Sequence, residues 1–189
     1  VKGSYGDGKA IKNSANLRII HNQLVDNGSI LIIIKQTRAN IGFDAKFNPK
    51  TRSGGKALTF YATQELWFTV REKLKKPYKG KDRTIGAKLR VQVKKNRCTG
   101  RDRTVDLLFY PTSGIDDLGS CINYLIEEKH WRGSDNKVEA PEFDFQGTRE
   151  KLISQIEEQN KEKNLRLLVA EVWADIDEAC TVKRKRRYT

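Results

Sequence analysis

The chain has few of the side chains that build disulfide frameworks, metal sites or histidine-based catalysis. Its three cysteines, Cys98, Cys121 and Cys180, are far apart in the sequence and form no CxxC motif. This spacing predicts free thiols in a reducing compartment, with neither a disulfide framework nor a zinc site. The two histidines, His21 and His130, have no partners at ligand spacing, so we expect ordinary surface or boundary residues.

Long apolar runs are absent as well. No segment approaches the ~20 apolar residues that a membrane-crossing helix needs, and no signal peptide is visible. We therefore expect no membrane partner. The sequence has no methionine and starts at Val1, which favours a fragment of a longer protein.

Positive charge is in excess. Lys and Arg number 37 against 24 Asp and Glu, which gives a formal net charge of +13 and a pI of about 9.7. A strongly basic chain favours a polyanionic partner, because phosphate neutralisation releases counterions from nucleic acid. The length of 189 residues suffices for one domain with a sizeable core and a small appendage.

The most informative segment spans residues 31–61. An unbroken aliphatic run predicts a strand over Ser29–Lys35 that is buried on both faces, as in a parallel sheet. Gln36 and Arg38 follow it, and then comes a basic loop of about 16 residues, a length typical of functional or disordered loops. Gly54-Gly55 opens a helix. Taken alone, these residues fit a nucleotide-driven DNA-binding loop and an ordinary solvated loop equally well.

Hydrophobic periodicity predicts the remaining elements. We expect helices over residues 10–25, 55–64 and 115–130, strands over 66–73, 85–95 and 104–110, and a basic linker over 75–83. The composition changes after Trp131, where two further helical patterns cover residues 148–162 and 165–180. We therefore predict a core domain over residues 1–131 and a second region over 132–189, which ends in the basic tail 183–187.

Several motifs together resemble the second half of the RecA-type recombinase core, over Gly3 to about Glu128. The specific element is GG-x-AL-x-FYA at residues 54–62, one loop after a strand that ends in Q-x-R. The remaining matches are Gly6-Asp7, Ile34-Lys35-Gln36-Thr37-Arg38, Ile41-Gly42, Asn48-Pro49-Lys50-Thr51 and Arg90-Val91-Gln92-Val93-Lys94-Lys95-Asn96-Arg97. The tail from Lys129 and the basic linker at 75–83 differ more from the bacterial proteins, and they look more like a phage or mobile-element relative.

The resemblance implies a fold and a DNA partner. It implies an α/β fold, the second half of a RecA-like core with a mixed, mostly parallel sheet and flanking helices, plus a small C-terminal helical appendage. Residues 2–9 and 37–55 look like the two DNA-binding loops of a helical filament that holds single-stranded DNA and pairs it with duplex DNA. The residues implied in DNA contact are Lys2, Lys9, Arg38, Ile41, Phe43, Lys46, Lys50, Arg52, Gly54 and Gly55.

The resemblance also implies a nucleotide sensor and trans-acting cations. Gln36 looks like the switch glutamine that senses the terminal phosphate of ATP and orders the second loop. Lys95 and Arg97 fall where the family has two lysines that reach the ATP of a neighbouring subunit. Phe60 matches an aromatic residue at the subunit interface. Without the resemblance, the two cations would be interpreted as exposed strand charges.

The sequence departs from the family pattern in the nucleotide site. It contains no GxxxxGK[ST], and Gly3–Lys9 lacks both a preceding strand and the Ser or Thr that holds magnesium. ATP and Mg would therefore be bound mainly by a half that this sequence lacks. We expect a piece that is inactive alone and exposes apolar edges.

Two hypotheses follow. The chain is part of a DNA-dependent ATPase recombinase that acts in recombination and repair, in the cytoplasm of a bacterial or phage-infected cell. Alternatively, it is a non-enzymatic single-stranded DNA-binding or accessory module. A helicase-like relative is disfavoured by GG-x-AL-x-FYA and by the absence of a helicase-type linker.

Overall fold

A computed structural model of the chain describes residues 7–39, 46, 50–52, 55–134, 137–182 and 184. The chain divides into two compact units. The first is formed by residues 1–66 and 93–102, and the second by residues 67–92 and 103–189. The second unit contains elements from both sides of residue 131, and the domain boundary expected at 131/132 stays a prediction.

The first unit is built on two helices and a short strand pair. Helix α1 (Asp7–Asp26) packs on helix α2 (Gly55–Tyr61). Strands β1 (Thr37–Ala39) and β2 (Lys50–Arg52) pair antiparallel.

Helix α1 starts earlier than predicted. Residues 7–9 were expected in a loop but belong to the helix, in line with an acidic residue being a common helix-start signal. The predicted apolar stripe is mostly not buried, because Ile11 and Ile19 are 69% and 62% exposed.

The strand predicted over Ser29–Lys35 is wrong for the described structure. The segment has no strand assignment, and its aliphatic residues are exposed, from Leu31 at 46% to Ile34 at 92%. A strand buried on both faces needs neighbouring strands and covering helices. None of the described strands pairs with this segment, so the aliphatic run stays in water.

The segment predicted as a basic linker is instead the end of a long hairpin. Strand β3 (Gln64–Tyr78) and strand β4 (Lys81–Asn96) are joined by Lys79 and Gly80, whose φ values are 51° and 71°. Two successive positive φ values are typical of the type I′ turn, whose twist matches that of paired strands. Pro77 is compatible with this arrangement because β3 lies at the edge of its sheet.

The sheet continues through strand β5 (Arg103–Tyr110) to strand β6 (Gly114–Asp116), in the order β3-β4-β5-β6. Leu108 of β5 pairs with Asp116 of β6 in an antiparallel register. Each pairing whose register the structure describes is antiparallel. The mixed α/β character is confirmed, whereas the mostly parallel sheet is not.

The apolar core lies in the second unit, around helix α3 (Asp117–Glu127). Helices α4 (Arg149–Glu158) and α5 (Glu162–Ala179) pack against α3. Beside them lies a three-stranded antiparallel sheet of β7 (Arg132–Ser134), β8 (Lys137–Ala140) and β9 (Phe145–Gly147). The largest of the fully buried core side chains are Ile122, Leu125, Trp131, Val138, Leu152, Ile156 and Leu165.

Polar contacts fix the start of α3. The Asp116 carboxylate accepts a hydrogen bond from the Gly119 N–H at 2.8 Å and so caps the helix. The buried Ser120 hydroxyl accepts from the Leu108 N–H at 2.9 Å and donates to the Asp116 carbonyl at 2.5 Å. Ser120 therefore ties strand β5 to the first turn of α3.

An ion-pair network lies on the same sheet. The Arg90 guanidinium donates two hydrogen bonds to Asp106, at 2.7 and 3.0 Å. Lys88 lies 3.5 Å from the same carboxylate and 2.7 Å from Glu127. The Arg90 hydrogen bonds outweigh the opposing effect of burial and lower the pKa of Asp106.

No helix in the described part of the chain is both long and apolar enough to span a bilayer. The described cysteines are free thiols, as predicted. His130 lies with its Nε2 2.7 Å from a Glu142 oxygen, and the His21 ring lies 6.0 Å from that of Tyr61.

We predict that Asp106→Asn destabilises the protein at neutral pH by about 1.5–3 kcal/mol, as expected for hydrogen bonds to a charged group. Because the folded pKa of Asp106 is lowered, this stabilisation is present above the ordinary value of 3.8 and is lost as the pH falls through the folded pKa. Urea unfolding between pH 7 and pH 3 should show the difference shrinking. The exposed Asp175→Asn is the control; an equal loss in both variants would contradict the prediction.

We predict that the three thiols differ in reactivity. Cys98 and Cys180 are exposed, whereas burial raises the pKa of Cys121 to about 11, which leaves little thiolate at pH 8. A colorimetric thiol assay should therefore count two fast thiols in the native protein and a third only in denaturant. Three fast native thiols would contradict the packing of α3.

Candidate nucleic-acid and phosphate-contact site

Three of the residues that sequence reasoning singled out meet in the first unit. The Lys95 ammonium donates hydrogen bonds to the carbonyl oxygens of Thr59 and Phe60, the latter at 3.2 Å. The Arg97 guanidinium carbon lies 5.7 Å from the centre of the Phe60 ring, within cation–π range. Two cations and one aromatic ring thus lie at the C-terminal end of α2.

The contact of Lys95 has a clear physical basis. The last carbonyls of a helix lack partners within it and carry partial negative charge, so a cation is favourable there. Helix α2 ends at Tyr61, and Lys95 reaches the carbonyls of the two preceding residues. In this structure Lys95 therefore stabilises the end of α2.

The chain around these cations is held by backbone and amide hydrogen bonds. The Arg97 N–H donates to the Thr63 carbonyl at 2.9 Å. The Asn96 side chain accepts from the N–H groups of Cys98 and Thr99, at 3.1 and 3.2 Å, and donates to the Arg101 carbonyl at 3.2 Å. The sequence analysis quoted Asn96 in a motif but gave it no role, although Asn at the end of a strand is a known turn signal.

The aromatic part of the site faces solvent. Phe60 is 65% exposed, and its ring packs edge-on against Tyr61 with the centroids 5.2 Å apart. A large apolar ring kept in water beside a cation is available to a partner. Phe60 is therefore not a buried core residue in this structure.

The two ends of the predicted second DNA-binding loop lie together. In the β1–β2 pair, Arg38 is opposite Thr51, and Thr37 is opposite Arg52. The pairing brings the backbones of Arg38, Lys50 and Arg52 to the base of the segment between the strands. Lys46, within that segment, is exposed.

Gln36 is exposed and directly precedes β1. The structure therefore places Gln36 immediately before the first strand of the β1–β2 pair. Its role as a switch stays a prediction.

Of the other residues predicted to contact DNA, two lie in described helices and four fall outside the described residues. The backbone of Lys9 belongs to α1, and Gly55 is the first residue of α2. The predictions for Lys2, Ile41, Phe43 and Gly54 fall outside the described residues.

Within the described part of the chain, no group of three or more acidic, histidine or cysteine residues is arranged to hold a metal ion.

Comparison with known proteins gives a consistent family match. A sequence model described as the RecA N-terminal domain matches residues 3–116. Protein RecA of Thermus thermophilus is 32% identical over 130 residues, which is 67% of this chain and 37% of that protein. Protein RecA of Gloeobacter violaceus is 33% identical over 131 residues, and that of Borreliella afzelii 34% over 131, covering 34% and 35% of those proteins and 67% of this chain.

The chain thus spans about a third of the length of the curated relatives it matches. The family model covers more than half of the chain and includes the Gln36 segment, the β1–β2 pair and the Lys95–Phe60–Arg97 cluster. The chain belongs to the RecA family.

Proposed function

We propose that this chain is part of a DNA-dependent ATPase recombinase that binds single-stranded DNA in a self-associated nucleoprotein filament. Its context is homologous recombination and DNA repair in the cytoplasm of a bacterial or phage-infected cell. The observation that carries this proposal is the RecA-family match over residues 3–116. The net charge of +13 supports a polyanionic partner.

In this proposal the segment between β1 and β2 contacts the single strand. Arg38, Lys50 and Arg52 at its base and the exposed Lys46 neutralise phosphates, while Ile41 and Phe43 stack on or wedge between bases. Residues 2–9 supply further contacts through Lys2 and Lys9, and Gly54 and Gly55 allow close approach of the backbone to DNA. The antiparallel pairing of β1 with β2 supports a loop whose two ends move together.

The Lys95–Phe60–Arg97 cluster is proposed to meet the neighbouring subunit of the filament. The exposed Phe60 packs against that subunit, and Lys95 and Arg97 place positive charge on the phosphates of its bound ATP. Cations at a transferring phosphoryl group stabilise the charge that develops there. Lys95 would exchange its hydrogen bonds to the carbonyls of α2 for phosphate oxygens, a change that couples subunit contact to the end of α2.

ATP and Mg would be held mainly by protein outside these 189 residues. The sequence contains no GxxxxGK[ST], so its own residues fit contacts to a neighbour's nucleotide rather than a complete site. We therefore propose that residues 3–116 correspond to the later part of the RecA core, with the boundary to a C-terminal region near 131/132. Gln36 senses the terminal phosphate and orders the loop after β1.

The alternative is a non-enzymatic single-stranded DNA-binding module, which the absence of GxxxxGK[ST] favours. Against it stands the exposed aliphatic run of residues 30–34, with exposures from 46% to 92%. Such a run is costly in water and is easier to explain if another apolar segment covers it.

Reading the coding DNA upstream of Val1 separates the two hypotheses. A strand followed by GxxxxGK[ST], and later an apolar strand ending in Asp, would support the ATPase recombinase. A start codon near Val1 without these elements would leave the DNA-binding module and remove the enzyme proposal.

We predict that Arg38→Ala with Lys50→Ala weakens binding to a fluorescent single-stranded oligonucleotide. Two lost phosphate contacts should lower the slope of log affinity against log salt by about 1.4, at ~0.7 per contact. The control is Lys151→Ala with Lys163→Ala, which removes two exposed charges elsewhere. An unchanged salt slope in the loop variant would reject the loop assignment.

We predict that Lys95→Met loosens the end of α2, because it removes the cation from the Thr59 and Phe60 carbonyls. The expected loss is about 0.3–1 kcal/mol of local stability, measured by hydrogen exchange of the Ala62 amide, which donates to the Leu58 carbonyl at 2.9 Å. Arg97→Ala is the matched control and should leave this protection unchanged. Equal protection in all three proteins would contradict the helix-end role of Lys95.

A further inference from the structure

The turn after strand β4 is organised by the side chain of Asn96, and we define the Asn96 turn as residues 96–101. The Asn96 oxygen accepts from the N–H groups of Cys98 and Thr99, at 3.1 and 3.2 Å. Its amide nitrogen donates to the Thr99 hydroxyl at 2.6 Å and to the Arg101 carbonyl at 3.2 Å. A side-chain amide has two acceptor positions and two N–H groups, so Asn96 uses its whole hydrogen-bonding capacity within the turn.

Backbone features complete the turn. The Gly100 N–H donates to the Asn96 carbonyl at 2.9 Å. The Gly100 φ of 71° lies in the left-handed region, which glycine adopts without strain. Asn is favoured in turns because its short amide hydrogen-bonds to the backbone a few residues on. The identity of two residues, Asn96 and Gly100, therefore specifies the conformation of this segment.

Arg97 is the residue that the turn holds beside the candidate site. Its backbone N–H donates to the Thr63 carbonyl at 2.9 Å, and its guanidinium carbon lies 5.7 Å from the centre of the Phe60 ring. The N–H of the next residue, Cys98, donates to Asn96. Hydrogen bonds therefore hold the backbone at Arg97 and directly after it, while the guanidinium lies within cation–π range of an exposed ring.

A guanidinium that is already held in place loses less freedom when it binds phosphate. An arginine side chain has many rotamers and loses their entropy when a ligand fixes it, and ordering the group beforehand reduces this cost. Lys95 differs, because its ammonium bonds the carbonyls of Thr59 and Phe60 directly. The Asn96 turn therefore constrains Arg97, whereas the end of α2 holds Lys95.

We propose that Asn96 is a positioning residue that holds Arg97 in place to contact the phosphates of the neighbouring subunit's nucleotide. Asn96 itself touches no phosphate and acts only through Arg97. The proposal rests on the proposed function for the role of Arg97, and it deepens that function by naming the residue that orients the cation. A preorganised cation at a transferring phosphoryl group stabilises the developing charge without first having to be ordered.

An asparagine at the end of a strand has a simpler explanation as an ordinary turn residue. In that case, its replacement lowers stability but has no specific link to Arg97. The positioning role instead requires that the effect of Asn96 on phosphate binding disappears when the Arg97 guanidinium is absent. A double-mutant cycle over Asn96 and Arg97 separates the two explanations.

The test uses the full chain and inorganic tripolyphosphate as the probe. The variants are Asn96→Ala, Arg97→Ala and the combination of both, and the exposed Asn16→Ala in α1 is the matched control. Binding is followed by NMR through the ring resonances of Phe60, which lies beside Arg97. The nuclear Overhauser effect between the Phe60 ring and the Arg97 side chain measures their contact directly. Circular dichroism checks the fold of each variant.

For Asn96→Ala we expect the Overhauser effect between Phe60 and Arg97 to be lost. The affinity for tripolyphosphate should fall by about 2- to 12-fold, the cost of ordering one long side chain on binding. The double variant should bind like Arg97→Ala alone, and the Asn16→Ala control should behave like the parent protein. Asn96→Ser keeps a hydroxyl that accepts from the turn more weakly. It should restore part of the affinity, and it covers the case in which Asn96→Ala folds poorly.

Three results would overturn the proposal. The first is an unchanged contact and affinity in Asn96→Ala, and the second is an equal loss of affinity in Asn16→Ala. The third is a loss that adds to that of Arg97→Ala, which would mean that Asn96 acts independently of the cation. Failure of the proposed function is seen separately, because Arg97→Ala would then bind tripolyphosphate like the parent protein, and the positioning role would fall with it.

Discussion

The packing of α4 and α5 on α3 is the constraint on which the second unit depends. Ile122 and Leu125 of α3, Leu152 and Ile156 of α4 and Leu165 of α5 are all fully buried, and burial of aliphatic side chains is the largest favourable term in folding. The core holds α3 in place, and Ser120 and the Asp106 ion pairs then anchor β5 and β4 to it. These contacts join strand β4, at the base of the β3–β4 hairpin, to the packed part of the second unit.

The charged residues of this protein are of two kinds: some make structural contacts, and others are exposed. Asp106 forms ion pairs with Lys88 and Arg90 in the packed part of the sheet. Lys95 is directed to the carbonyls at the end of α2, where a cation stabilises the helix. The exposed cations of residues 71–83, at the end of the β3–β4 hairpin, form no ion pair within the described part of the chain. The same residue type thus supports folding at one position and is available for binding at another, and its neighbours decide which.

The aliphatic run of residues 30–34 shows that a local sequence pattern does not by itself predict burial. Five consecutive aliphatic residues predicted a buried strand, but burial depends on other elements that cover the segment and not on the segment alone. The structure leaves these residues exposed. Ile11 and Ile19, in the apolar stripe of α1, are likewise exposed, although this helix packs on α2.

The sequence by itself determined family membership and the type of most elements. The GG-x-AL-x-FYA element identified the family, and periodicity located α2, α3, α4, α5 and the strands β4 and β5, because these signals depend on neighbours within a few residues. Only tertiary structure decided that residues 75–83 form a hairpin and not a linker, and that Lys95 and Arg97 meet Phe60. The tertiary structure also decided that α4 and α5 pack against α3 in one hydrophobic core. Each of these depends on contacts between residues far apart in the chain, which a local pattern does not encode.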